Sequence, residues 1–187
     1  RILYIMNADG SANRAITDGS ISAANARWIG SGAEIALIVK GKLHTMSASG
    51  KELKEVAGAP EGIEGFELSP KGDKILYVKS IKACKKPSDI YPDMDKANAR
   101  TIDDLMYRHW DHYVESIQHP YVAEVTADGI KEGKDMLEGE PYECPMEPFG
   151  GIEQLTWSPD SKQVAYTCRK KTGRDYAIST DSDIYLY

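Results

Sequence analysis

The sequence has no surplus of positive charge: 23 lysines and arginines stand against 29 aspartates and glutamates, a formal net charge of −6. No basic stripe offsets that balance, so a nucleic-acid binder is not expected. The nearest basic run, Lys82 to Lys86, is three lysines around Cys84 and reads as a solvated loop. Long apolar runs are missing as well. None approaches the roughly 20 residues of a membrane helix, so no membrane span is expected. Cysteine is scarce: Cys84, Cys144 and Cys168 lie far apart and form no Cys-x-x-Cys pair, which speaks against a zinc knuckle. Three free thiols are expected, with one disulfide plus a spare thiol as the alternative. The first residues, RILYIMNADG, have neither an initiator Met nor the layout of a signal peptide, and they start inside what reads as a strand. The chain is therefore expected to be a fragment or a processed piece. What remains is ordinary: 187 residues, 41% hydrophobic and 28% charged, enough for one good-sized core or two small ones.

The chain repeats itself. FELSPKGDKILYV (residues 66–78) and LTWSPDSKQVAYT (residues 155–167) match without a gap, and ARWIGSGAEIALI (residues 26–38) is a looser third copy. In each, a short strand meets a tight turn and a β-rich return strand. Proline presets φ in two of these turns, and Gly, Ser or Asp serves the later positions. A second element recurs as LYIMNADG, LHTMSASG and VAEVTADG, ending at Gly10, Gly50 and Gly129. Each is an alternating strand closed by a small-residue turn. Trp28 and Leu68, which fall in register, stand 40 positions apart. That period, with four short strands per unit, is what a propeller blade needs. The fold expected is all-β: part of a β-propeller of about three to four four-stranded blades, with marks near residues 1–17, 20–56, 62–137 and 152–187.

One blade is too long. About 39 extra residues, roughly 79 to 119, separate its two marks, and insertions on propellers leave from strand ends, where function concentrates. From Thr101 the insert, TIDDLMYRHWDHYVESI, is expected to be helical. Ile102, Leu105, Met106, Trp110, Tyr113, Val114 and Ile117 recur at spacings of three and four, and His119-Pro120 would end the helix. Arg108, Asp111, His112 and Glu115 would share the polar face. His109 and His112 are three apart, a spacing that suits two metal ligands on a helix. However, no third strong ligand and no His-Glu-x-x-His motif accompanies them, so no metal is expected.

These features resemble the propeller of prolyl oligopeptidase-family serine peptidases, in particular bacterial dipeptidyl peptidases and acylaminoacyl-peptidase-like members. WSPDSKQVAY is similar to the TolB-type, WD-like repeat, and LMYRHWDHY resembles an Arg-His-Trp-Asp signature in a propeller insertion of those enzymes. The resemblance covers essentially the whole chain. It implies a propeller that gates and positions peptide substrates for a C-terminal α/β-hydrolase domain of the same chain. It implies no cofactor and a periplasmic or secreted location, and it leaves a homodimer open. No Gly-x-Ser-x-Gly occurs in these residues, so the Ser-Asp-His triad would belong to that other domain.

In the best-known branch, adjacent glutamates grip the substrate's free amine, but no Glu-Glu pair occurs here. The candidate substrate-binding set is Arg108, Asp111, His112 and Glu115, with Asp111 and Glu115 as the carboxylates. The alternative is an Asp111–Arg108 ion pair that only holds the insert. Two further functions compete: a TolB-like periplasmic scaffold that binds proteins without catalysis, and a metal-dependent hydrolase centred on His109 and His112. The gene downstream of Tyr187 is expected to complete further blades and reach Gly-x-Ser-x-Gly; a stop codon soon after Tyr187 would refute the peptidase expectation.

Overall fold

β-rich segments punctuated by Gly and Ser-Pro turns become strands, and the computed structural model, which describes residues 1–187, stacks them as four successive antiparallel sheets. The first pairs β1 (Tyr4–Ile5) with β2 (Arg14–Ala15). The second is a four-stranded meander of β3 (Ala23–Ile29), β4 (Glu34–Val39), β5 (Lys42–Ser47) and β6 (Lys54–Glu55). The third begins with β7 (Ile63–Leu68) and β8 (Lys74–Lys82). There the insertion departs, carrying one helical turn, α1 (Pro87–Ile90), and a hairpin of β9 (Arg108–His109) and β10 (His112–Tyr113). The sheet resumes with β11 (Ser116–Thr126), flanked by β12 (Gly129–Ile130) and β13 (Lys134–Asp135). The fourth contains β14 (Leu155–Trp157), β15 (Val164–Cys168) and β16 (Asp183–Leu186), with a short helix, α2 (Gly173–Ile178), before β16.

The inner strands bury both faces. Along β4, Ile35, Leu37 and Val39 pack with Ile16, Ala23 and Met46, while Ala36 and Ile38 pack with Phe66, Ile75, Tyr77 and Ile130. Along β8 the alternation repeats one sheet later: Ile75 and Tyr77 serve that same core, and Leu76 and Val78 meet Leu137, Cys144, Leu155 and Val164. A strand's period of two sends neighbouring residues to opposite faces, which is why IALIV and ILYV read as unbroken apolar runs. Each fully buried Leu, Ile or Phe stabilises the stack by about 1.5–3 kcal/mol.

The Ser-Pro turns repeat in three dimensions. Ser69 N–H donates to the Lys74 carbonyl at 2.9 Å, and Ser158 N–H to that of Gln163 at 2.8 Å. Gly72 occupies a left-handed position (φ 72°), and Ser161 takes the equivalent one at φ 63°. That serine ties two sheets together. Its hydroxyl accepts from Lys71 N–H at 3.1 Å, and its carbonyl accepts from Lys74 Nζ at 3.0 Å. Towards the other neighbour, Arg27 on β3 bonds Glu67 on β7 at 2.5 Å, and Asn25 donates to the Phe66 carbonyl at 2.8 Å. The Arg27–Glu67 pair is about one-third exposed, so it fixes register more than it adds stability.

The helix expected from Thr101 to Ile117 does not form; the insertion is helical only at α1. Apart from Leu105 and Met106, its apolar positions are aromatic or β-branched, poorer helix formers that suit strands. The decisive term is tertiary. β8 runs on to Lys82, and its ladder captures β11 from Ser116↔Lys82 to Glu124↔Lys74. His119 and Pro120 consequently sit inside a strand, paired with Lys79 and Val78, and end nothing. His109 and His112 are not neighbours on a helix but face each other across the hairpin. Cys84, Cys144 and Cys168 are free thiols, two of them buried.

Glycine sets the spacing at the outer turns. Gly129 (φ 123°) and Gly58 (φ 70°) bring two sheets into backbone contact, where Ile130 N–H donates to the Ala57 carbonyl at 2.9 Å. A Cβ on Gly58 would lie 2.1 Å from the Ile130 oxygen, and one on Gly129 would lie 2.2 Å from the Ala57 oxygen. Gly10 has a similar φ of 84° but nothing within 4 Å of its missing Cβ. Denaturant titration should therefore show Gly58→Ala losing about 3 kcal/mol or more, against about 1 kcal/mol for Gly10→Ala. Equal losses would contradict the close-approach argument.

Candidate functional site

Three segments converge beside the insertion: the β9–β10 hairpin, the stretch YECPMEP (residues 142–148), and α2. The middle segment is anchored by its backbone, with Cys144 N–H donating to the Gln118 carbonyl on β11 at 2.9 Å. Cys168 on β15 adds a thiol bond to the Glu143 carbonyl at 3.4 Å. This holds Glu143 in the interior, at 3% exposure. A carboxylate there must be paired, and it is. The Tyr176 hydroxyl from α2 donates to one oxygen, and His109 Nε2 stands 3.3 Å from the other.

The surroundings act on both partners. The hydrogen bond to Glu143 raises the His109 pKa above its ordinary 6.5, against the opposing pulls of burial and Arg169. Burial, then Glu143, pushes the Tyr176 phenol up. Arg169 lies across the Tyr176 ring at 4.2 Å and donates through one terminal nitrogen to the carbonyls of Tyr176 (3.3 Å) and Ser179 (2.7 Å). Its Nε is buried without an acceptor.

The tip of the hairpin is the second part of the site. Trp110 turns with a left-handed backbone (φ 43°), a conformation that costs a non-glycine residue about 1–3 kcal/mol. Its indole meets Phe149 edge-to-face at 5.0 Å, yet the two rings are 69% and 80% exposed. His112 bridges two carboxylates, with Nδ1 3.2 Å from Asp111 and Nε2 3.2 Å from Glu147. Between the hairpin and α2 lies a cavity of ≈310 Å³, lined among others by Arg108, His109, Glu147, Arg169 and Tyr176.

The structure separates the four residues expected from the sequence. Arg108, Asp111 and His112 share the hairpin. Asp111 is 94% exposed, and its carboxyl lies below the usual range because of His112. The expected Asp111–Arg108 ion pair is not made. Arg108 Nε instead donates to the Trp110 carbonyl at 2.9 Å, which turns its guanidinium towards Tyr113. Glu115 lies beyond the hairpin, between Lys86 (3.3 Å) and Arg100 (3.2 Å), on a different cavity that Cys84 also lines. Sequence reasoning missed Glu143, Glu147, Arg169 and Tyr176. The signal available was YECPMEP itself, two glutamates four apart and each within two residues of a proline.

The His109–Glu143 pair is linked to pH. A histidine whose folded pKa is raised stabilises fully below its unfolded value and loses that contribution as pH rises through the folded pKa. His109→Gln should cost about 1–3 kcal/mol near pH 6, with the gap to wild type narrowing as pH rises above 6.5 through the raised folded value in denaturation experiments. A gap independent of pH would remove the charged histidine from this account.

No family model matches the chain. It is 46% identical over its whole length to dipeptidyl-peptidase 5 of Porphyromonas gingivalis, covering 28% of that protein. It is 42% identical over 99% of its length to dipeptidyl-peptidase 5 of Porphyromonas endodontalis, covering 27% of it. Among solved structures, Pyrococcus horikoshii acylaminoacyl peptidase superposes with a TM-score of 0.61 at 14% identity, over all of this chain and 26% of that one. That likeness concerns the fold. The chain thus spans little more than a quarter of the length of these relatives, and it is similar to the dipeptidyl-peptidase 5 proteins throughout its own length.

Proposed function

We propose that this chain is the non-catalytic propeller portion of a dipeptidyl-peptidase-like serine exopeptidase, where it restricts access to an α/β-hydrolase domain and helps position peptides for it. The carrying observation is the identity of 46% and 42% to two dipeptidyl peptidases, spread over the whole chain but little more than a quarter of each relative. In this reading the catalytic serine lies in the remainder of the longer protein, and the protein works in the periplasm or outside the cell.

The positioning role falls to the hairpin. An amino terminus needs carboxylates that are reachable and not already neutralised by a lysine or arginine. Glu115 is held by Lys86 and Arg100 and suits this poorly. Asp111 and Glu147 suit it better, because their ion-pair partner is His112 alone and each meets a different nitrogen of it. They supply the acidic pair that no two adjacent residues of the sequence provide. His112, which meets both of them, holds the two carboxylates in place.

Kinetics on the full-length enzyme test this. Asp111→Ala and Glu147→Ala should each lower kcat/KM about tenfold to a hundredfold for dipeptide substrates with a free amine, the worth of one charge-assisted hydrogen bond. N-acylated substrates should be unaffected, and Glu115→Ala should change little. Equal losses on free and acylated substrates would move both carboxylates to a structural role.

A further inference from the structure

The cavity beneath the hairpin holds two arginines that have no carboxylate partner. Arg108 makes no ion pair and spends only Nε, on the Trp110 carbonyl. Arg169 makes none either. One terminal nitrogen is committed to two backbone carbonyls, the flat of the guanidinium lies on Tyr176, and the other terminal nitrogen makes no hydrogen bond. Its Nε is orphaned in the interior. The interior Nε has too little accessible surface for a ligand to reach, so the group of Arg169 left open to the cavity is its unbonded terminal nitrogen.

The nearby negative charge is already engaged. Glu143 is bonded by His109 and Tyr176, and Glu147 by His112. The lining sets two arginines against one carboxylate, Glu147, beside the apolar side chains of Leu105, Met106 and Pro148. At ≈310 Å³ it is at the lower end of small-ligand sites, which run to about 300–1,000 Å³.

We infer that this cavity is a receptor for a carboxylate on a short peptide, gripped by the unbonded terminal nitrogens of Arg108 and Arg169, with the apolar wall receiving the adjoining side chain. The two free terminal nitrogens of Arg108 match a carboxylate in a bidentate manner, and Arg169 adds a single charge-assisted bond. Glu147 in the same wall disfavours a phosphate, whose charge at neutral pH is about −1.5 to −2, more than it disfavours a single negative charge. The carboxylate is either the C-terminal one or an acidic side chain; the two share one chemistry. This goes beyond the positioning of an amine and concerns equilibrium binding, not hydrolysis.

Calorimetric titration of the full chain decides it, with probes acetylated at the amino terminus so that the amine reading plays no part. Acetyl-Ala-Ala acid, acetyl-Glu-Ala-amide and acetyl-Ala-Ala-amide are compared, with inorganic phosphate as the off-class anion. At least one of the two carboxylate probes should bind, and the neutral amide at least tenfold more weakly. Preference for the first assigns the C-terminal carboxylate, and preference for the second an acidic side chain. Arg108→Ala, an exposed change that leaves the folded stack untouched, should weaken binding tenfold or more. Arg169→Lys should weaken it similarly, because it keeps the charge but loses the planar group that lies on Tyr176 and holds the free terminal nitrogen in place. Absence of binding by both acids, a neutral amide or phosphate that binds as tightly, or an Arg108→Ala affinity within twofold of wild type would each overturn the assignment.

Discussion

Everything in this fold depends on two strands buried on both faces. β4 and β8 lie at the middle of the stack, and each gives alternate residues to different cores. Neither strand could be satisfied by its own sheet. Leu37 needs the first sheet and Ile38 the third; Ile75 needs the second and Leu76 the fourth. The sheets are therefore coupled in series, as expected when a repeat cannot bury its hydrophobic surface alone. The same coupling carries the insertion. β8 and β11 are long because their outer parts, beyond the core, form the stem from which the 33 residues between Lys82 and Ser116 emerge.

The site is built from that stem and from the next sheet together. Glu143 belongs to neither alone: its backbone is tied to β11 through Cys144 and to β15 through Cys168. Burying a carboxylate there obliges the hairpin and α2 to supply partners, which His109 and Tyr176 do. One buried charge thereby fixes the position of two exposed elements. The polar groups at the hairpin tip gain a defined place relative to the propeller without any apolar face of their own to dock.

The repeat was legible because turn chemistry and alternation are local. Ser-Pro turns, Asp/Ser-Gly closures and apolar return strands each announce themselves within a dozen residues, and the structure forms them as antiparallel strands and turns. Spacings of three and four at Trp110, Tyr113, Val114 and Ile117 predict a helix, yet a hairpin followed by a strand satisfies them equally well. The deciding fact, that β8 extends to Lys82 and captures Ser116, is long-range and leaves no local mark. For the same reason only the hairpin half of the site was visible. Glu143, Glu147, Arg169 and Tyr176 come from two other stretches, and nothing in their own neighbourhoods says which loop they will meet.

The glycine contacts at the outer turns have a mechanical consequence. At Gly50, Gly58 and Gly129 the approach is limited by backbone against backbone, with a carbonyl oxygen where a Cβ would be. Such a contact is a hard stop, because main-chain atoms have no rotamers through which to yield. The rim thus works as a row of fixed spacers, and the gap that the side chains must fill is set before they fill it. Variation in the cores is then confined to exchanges of shape at constant volume, because the sheets have no freedom to close further.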